Sequence, residues 1–211
     1  HYIAIHMLGV IAHHVGKNDV AVELITKATV LEPGYSEAYN NLGITLKILG
    51  RLDEAVATYR KTLAIKPDYA EAYNNLGNAL QELGQLEQAI AHFNKSIDIK
   101  PNYAEAHYNL HSLLLDPFDM APSIKCMEKA VDISPDRRDF RFILGMLLDY
   151  SGSPQEAKPH FDIVEKGVNA DHANLDAWRY IKSANKRMPP IIGSNIQAFK
   201  LGIDAAVNVG L

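Results

Sequence analysis

His107 and His111 stand four residues apart in HYNLH, a spacing that puts two imidazoles on one side of a helix, where they could share a metal ion. The chain has nine histidines and one cysteine, Cys126. The pair is incomplete as chemistry: HYNLH has no glutamate to serve as general base, and no third ligand is indicated. Packing is the better assignment for both rings, and no metal site is expected. His13 and His14 read as flanking a turn. No Ser/His/Asp order, glycine-rich phosphate loop or Cys-x-x-Cys pair occurs. These residues point to no catalysis, so neither an enzyme activity nor a cofactor is expected of this chain.

The other chemically informative group is a recurring asparagine. SEAYNNLGITL occupies 36–46, AEAYNNLGNAL follows at 70–80, and a frayed version, AEAHYNLHSLL, stands at 104–114. Asparagine inside a helix costs roughly half a kcal/mol relative to alanine. Its repetition as Asn41, Asn75 and Asn109 therefore asks for a reason. Duplication could have copied it passively, or the amide could be solvated or bonded within the fold. The frayed copy weakens the passive account: it has lost the glycine and has Tyr108 where Asn74 would stand, yet it keeps Asn109.

These asparagines sit on a 34-residue period. Prolines fall at 33, 67, 101 and 135, each after an apolar stretch. Leu8-Gly9, Leu42-Gly43, Leu76-Gly77 and Leu144-Gly145 share one column, with Leu110-His111 in the fourth unit. Loop glycines follow at 16, 50, 84 and 152, with Phe118 as the exception. Next comes Ala21, Ala55, Ala89, Ser123 and Ala157, and four positions later Ile25, Tyr59, Phe93, Met127 and Phe161. Tyr73, Leu76, Gly77 and Leu80 lie on one helical face, and Leu86, Ala89, Ile90, Phe93 and Ile97 on another. Each unit therefore reads as two amphipathic helices, with small residues where they approach and a proline after the second.

The columns resemble the tetratricopeptide repeat (TPR), whose 34-residue signature runs aromatic, Leu-Gly, large residue, Ala, aromatic, Pro. The resemblance implies an all-α fold, a right-handed superhelical solenoid of helix-turn-helix repeats closed by C-terminal capping helices. Five repeats span 1–169, at approximately 2–35, 36–69, 70–103, 104–137 and 138–171. The fourth is degenerate, with DPFDMAPS in place of the glycine turn, and the fifth has Asn169 for its proline. Both ends look cut. Residues 170–188 read as a capping helix with Leu175, Trp178 and Ile181 on its inner face. Pro189-Pro190 then leads into an amphipathic segment, 189–211, that weakly resembles the lead-in to a class I methyltransferase domain.

In the TPR fold the first helices line a groove, and the helical wheel opposite the packed face selects its lining. The expected groove residues are Glu37, Asn41 and Ile44, then Glu71, Asn75 and Asn78, then Glu105, Asn109 and Ser112, and finally Asp139. Ile3, Met7 and Val10 begin the stripe, and Ile143 and Met146 end it. The asparagine column resembles the ladder with which TPR proteins such as the O-linked N-acetylglucosamine transferases grip an extended polypeptide. The chaperone-type clamp for acidic tails does not map here, because its Lys, Asn and Arg positions hold His6 and Val10 (or Asn40 and Ile44), Glu71 and Asn75. The acidic column Glu37, Glu71, Glu105 and Asp139 would repel such a tail. Carboxylates at helix N-termini are also favoured by the helix dipole alone.

The expected function is a protein-interaction scaffold that holds a neutral or basic extended peptide or partner protein. The alternative is a recruiting arm of a larger enzyme, a methyltransferase before a glycosyltransferase, with its catalytic domain beyond residue 211. A net charge of −4 and aromatics placed for packing speak against nucleic acid or an anionic membrane as partner. The start, HYIAIHMLGVIAHHVG, lacks the basic region of a signal peptide, and no apolar run is long enough to span a bilayer. A lone cysteine fits a reducing, cytoplasmic setting. Exposed repeat edges are expected to permit self-association.

Overall fold

The computed structural model describes residues 1–167, which contain ten α-helices and no strand. They run as α1 Tyr2–His14, α2 Asn18–Leu31, α3 Ser36–Ile48, α4 Leu52–Ile65, α5 Ala70–Glu82, α6 Leu86–Ile99, α7 Ala104–Leu113, α8 Ala121–Ile133, α9 Arg138–Tyr150 and α10 Pro154–Gly167. The proposed capping helix at 170–188 and the amphipathic segment 189–211 lie outside the described residues. The chain divides into two compact units, His1–Asn109 and Leu110–Leu211, with the division falling inside α7.

Within the first unit α1 packs on α2, α3 on α4 and α5 on α6, while α2 meets α3 and α4 meets α5. The turn between paired helices follows from one residue type. Gly16, Gly50 and Gly84 have φ of +77°, +72° and +75°, the left-handed region that L side chains rarely adopt. The chain then folds back onto the helix it has left. Gly50 N–H donates to the Lys47 carbonyl at 2.9 Å and Arg51 N–H to the Leu46 carbonyl at 3.0 Å. This paired bonding is the Schellman motif, and it recurs after α1 and α5.

The Leu-Gly column explains the close approach of paired helices. A Cβ built on Gly43 would lie 2.5 Å from the Tyr59 ring, and one on Gly77 2.6 Å from the Phe93 ring. Tyr59 and Phe93 are fully buried, each removing enough apolar surface to contribute about 2–3 kcal/mol. Ser96 adds a polar tie in this packing, its hydroxyl donating to the Ala70 carbonyl at 2.8 Å.

In the second unit α8 packs on α9 and α9 on α10. Gly145 repeats the close approach, where an added Cβ would lie 2.8 Å from the Phe161 ring, and Gly152 repeats the turn with φ +91°. Between α7 and α8 the glycine turn is absent, as its residues predict. There Asp116 Oδ1 accepts from the Phe118 N–H at 2.9 Å, and Asp119 Oδ1 accepts from the Ala121 N–H at 3.1 Å. His111 replaces the packing glycine and is buried opposite a column that holds Met127, an unbranched and adaptable side chain.

Candidate peptide-binding face

The asparagine column does its first work inside the fold. Asn75 Nδ2 donates to Asn40 Oδ1 at 3.0 Å, a step of 35 residues. Asn109 Nδ2 donates to Asn74 Oδ1 at 2.9 Å, again 35 residues back. At the start of the series Asn41 Nδ2 lies 2.9 Å from His6 Nε2, with the same separation. The first helices α3, α5 and α7 are thus each tied to the one before by a side-chain amide. The partners His6, Asn40 and Asn74 are buried, so each needs a bond to offset its lost hydration.

Sequence reasoning picked out the donors and overlooked the other half of each pair. Asn74 carries as much of the arrangement as Asn75. A signal was available: the column one residue before Met7, Asn41, Asn75 and Asn109 holds His6, Asn40, Asn74 and Tyr108, and 35 positions after Tyr108 the donor column holds Ile143. The polar type leaves both columns at one step.

His6 closes the first rung. Its Nδ1 lies 3.0 Å from the Tyr35 hydroxyl while Nε2 faces the Asn41 amide. Asn41 Nδ2 can only donate, so Nε2 accepts and the proton resides on Nδ1, giving a neutral ring. Burial lowers the His6 pKa, partly opposed by the Glu37 carboxylate.

Among the other expected groove residues, Glu37 and Glu105 are exposed, whereas Asn41, Ile44, Glu71, Asn75, Asn78, Asn109, Ser112 and Asp139 are half-buried. The ends of the stripe differ: Met7 is exposed, while Ile143 and Met146 are buried. The acidic column is less anionic than its residue types suggest. Lys66 Nζ lies 3.9 Å from Glu37, and Lys100 Nζ lies 2.7 Å from Glu71. Arg137 forks onto Asp139 at 2.8 and 2.6 Å. Burial works against the Glu71 carboxylate, but the Lys100 hydrogen bond and further favourable contacts outweigh it and hold its pKa below the ordinary value.

The same cations cover aromatic rings. Lys66 sits 4.6 Å above Tyr69, Lys100 4.8 Å above Tyr103, and Arg137 4.0 Å above Phe140. Burial first, then Glu105, Glu71 and Tyr69, push the Tyr103 phenol up to about 12. His107 and His111 are both buried, and His107 Nε2 bonds the Pro101 carbonyl at 3.0 Å. Among the described residues no helix is long and apolar enough to cross a membrane.

Two antiparallel helices per 34 residues, tied first helix to first helix, define an all-α helical-repeat protein. Residues 34–102 match the tetratricopeptide repeat family, and the described helices carry an all-α helical-repeat fold. A comparison with curated protein sequences gives no match. Among solved structures, TTC0263, a thermophilic TPR protein of Thermus thermophilus, shares 22% identity at a TM-score of 0.66, covering 89% of this chain and 100% of that one. YrrB, described as a TPR protein with an unusual peptide-binding site, shares 18% identity at a TM-score of 0.59, with 82% and 89% covered. The first TPR of Spaghetti (RPAP3), bound to the HSP90 peptide SRMEEVD, shares 23% identity at 0.53, with 54% and 90% covered. At these identities the likeness establishes the fold.

Proposed function

We propose that the chain is a protein-interaction scaffold whose row of first helices receives an extended peptide against Asn41, Asn75 and Asn109. One observation carries the reading: at Asn41 and Asn75 one N–H of the amide serves the bond to the preceding helix, which fixes the side chain's orientation. A primary amide has a second N–H and a carbonyl oxygen with two lone pairs, the complement of a peptide unit. Holding it in place before binding removes part of the ordering cost that a free side chain would incur. TPR proteins of this fold have been solved with a peptide or described by a peptide site, which supports that partner class.

The charge of the peptide follows from the same face. Lys66 and Lys100 are engaged by Glu37 and Glu71, and Glu105 adds a further carboxylate. A neutral or basic peptide therefore fits better than an acidic tail. The test is a calorimetric and NMR titration with unstructured neutral, basic and acidic peptides. Asn41, Asn75 and Asn109 changed together to Ala should keep the helical circular dichroism spectrum and weaken binding at least tenfold. Unchanged affinity in a folded variant would sink the reading, and tightest binding of the acidic set would overturn its charge component.

A further inference from the structure

A groove of about 480 Å³ opens between α2, α3 and α4, on residues of α3 that do not belong to the asparagine stripe. Thr29, Tyr39 and Leu42 line it, together with Thr58 and Lys61 of α4. The adjoining repeat shows why it is open. Pro33, Tyr39, Leu42, Ala57 and Lys61 recur unchanged 34 residues later as Pro67, Tyr73, Leu76, Ala91 and Lys95. Thr26, Thr29 and Thr58 do not recur: Arg60, Leu63 and His92 stand in their places. His92 stacks on Tyr73 with ring centroids 5.8 Å apart. Val30 is matched by the smaller Ala64, but at three other lining positions larger side chains stand where this groove has threonines. Over the Tyr39 ring lies the Lys61 ammonium, 4.4 Å from the centroid.

A side chain suited to that groove is displayed in the turn between α7 and α8. Phe118 is 81% exposed, which an aromatic ring seldom is without a partner. The turn that carries it is held by the Asp116 and Asp119 side-chain bonds to backbone N–H groups and by the Asp119 N–H to the Asp116 carbonyl at 3.2 Å. Phe118 is thus flanked by two carboxylates on a pre-set turn, and the groove is lined by Tyr39 and Leu42 together with a lysine.

We propose that the Asp116–Asp119 turn of one copy of this chain docks in the α2–α3–α4 groove of a second copy, with Phe118 against Tyr39 and Leu42 and the carboxylates facing Lys61. The contact joins two different surfaces, so it is head-to-tail and leaves a free groove and a free Phe118 on every pair. A small interface of this kind is weak, and a sedimentation series from about 0.01 to about 1 mM chain brackets the affinities expected at the micromolar-to-millimolar end.

The full chain should show an average mass that climbs with concentration. Phe118→Ala and, separately, Thr58→His, which installs the filler used one repeat on, should each stay monomeric with an unchanged helical spectrum. An equimolar mixture of the two variants should restore association and stop at a heterodimer, because only one productive contact remains. Lys61→Glu should weaken self-association several-fold. A chain monomeric throughout the range, association that persists in both variants, or a mixture that stays monomeric would each overturn the proposal. Should Thr58→His not fold, the synthetic peptide LLDPFDM titrated into labelled chain decides instead. Shifts confined to α2, α3 and α4 support docking, and their absence overturns it.

Discussion

Asn75 holds its position through a bond made 35 residues back, and its stability contribution follows from what its loss would strand. Truncation to Ala leaves Asn40 Oδ1 buried without its donor, which should cost about 1–3 kcal/mol. A double-mutant cycle on Asn40→Ala and Asn75→Ala by urea unfolding should show a coupling of about 1 kcal/mol, and additive losses would mean the bond contributes nothing net. His6 makes the first rung sensitive to pH. At pH well above the ordinary imidazole pKa of about 6.5 its ring is neutral in both folded and unfolded chain. Below that pH the unfolded chain takes up the proton first, because burial lowers the folded pKa, so stability falls as the pH falls. His92 and His160 are shifted in the same direction, also mainly by burial. His6→Asn, which installs the residue used one repeat on, should keep the rung and flatten part of the acid-side loss in a melting series from pH 7.5 to 5. An unchanged slope would exclude His6 as a contributor. Tyr59 gives a residue-level prediction of opposite sign. Its buried hydroxyl has no hydrogen-bond partner among the described residues, and the next repeat has Phe93 in that place. Tyr59→Phe should therefore be neutral or stabilising by up to about 1 kcal/mol in the same urea assay, and a clear destabilisation would show that the hydroxyl is satisfied after all. The asparagine donors of these bonds were legible, because the helical wheel sets them apart from the packed face. Their acceptors were not, because a 35-residue step joins neighbouring helices in space and leaves no mark on a single helical wheel.

At the scale of the helix pair, two glycine columns do different things and should fail differently. Gly77 is needed for space, since a methyl group there would meet the Phe93 ring at 2.6 Å. Gly84 is needed for its backbone, with φ +75° and open space around it. Gly77→Ala should cost about 1–3 kcal/mol through overpacking. Gly84→Ala should cost about 1–2 kcal/mol through left-handed strain. Phe93→Leu separates the causes: it should recover part of the Gly77→Ala loss and none of the Gly84→Ala loss in chemical denaturation. Equal recovery of both would show that the columns share one role. These elements were readable in advance because each rests on short-range sterics: a glycine where φ is positive, a glycine under a ring, a proline beyond a helix end. The reading thinned where short-range signals did. The α7–α8 turn could be recognised as lacking its glycine, but two aspartates bonding backbone N–H groups, and the exposed ring they hold up, needed coordinates.

Across the first unit, stability should be graded, because each helix contacts only its neighbours and burial depends on having one on both sides. The columns make the comparison direct. Leu42 of α3 and Leu76 of α5 are 8% and 1% exposed, whereas Leu8, their equivalent in α1, is 55% exposed. Ile11 is 56% exposed, where Thr45 and Ala79 in the same column are 1% and 0%. α1 is held by its packing against α2 and α3 and by the His6 contacts to Tyr35 and Asn41, and its column residues bury less surface than those of α5. Native-state hydrogen exchange at pH 7 should therefore find the amides of α1 at least tenfold less protected than those of α5, a difference of about 1.4 kcal/mol in opening free energy. Lowering the pH should widen that gap once the intrinsic slowing of exchange is removed, because protonating His6 puts a donor where Asn41 already donates. His6→Asn should remove the part of that widening that His6 causes, leaving any contribution of His92, on the helix packed against α5. Uniform protection across α1 and α5 would mean that the unit opens all at once, and the neighbour-by-neighbour account of its stability would then be wrong.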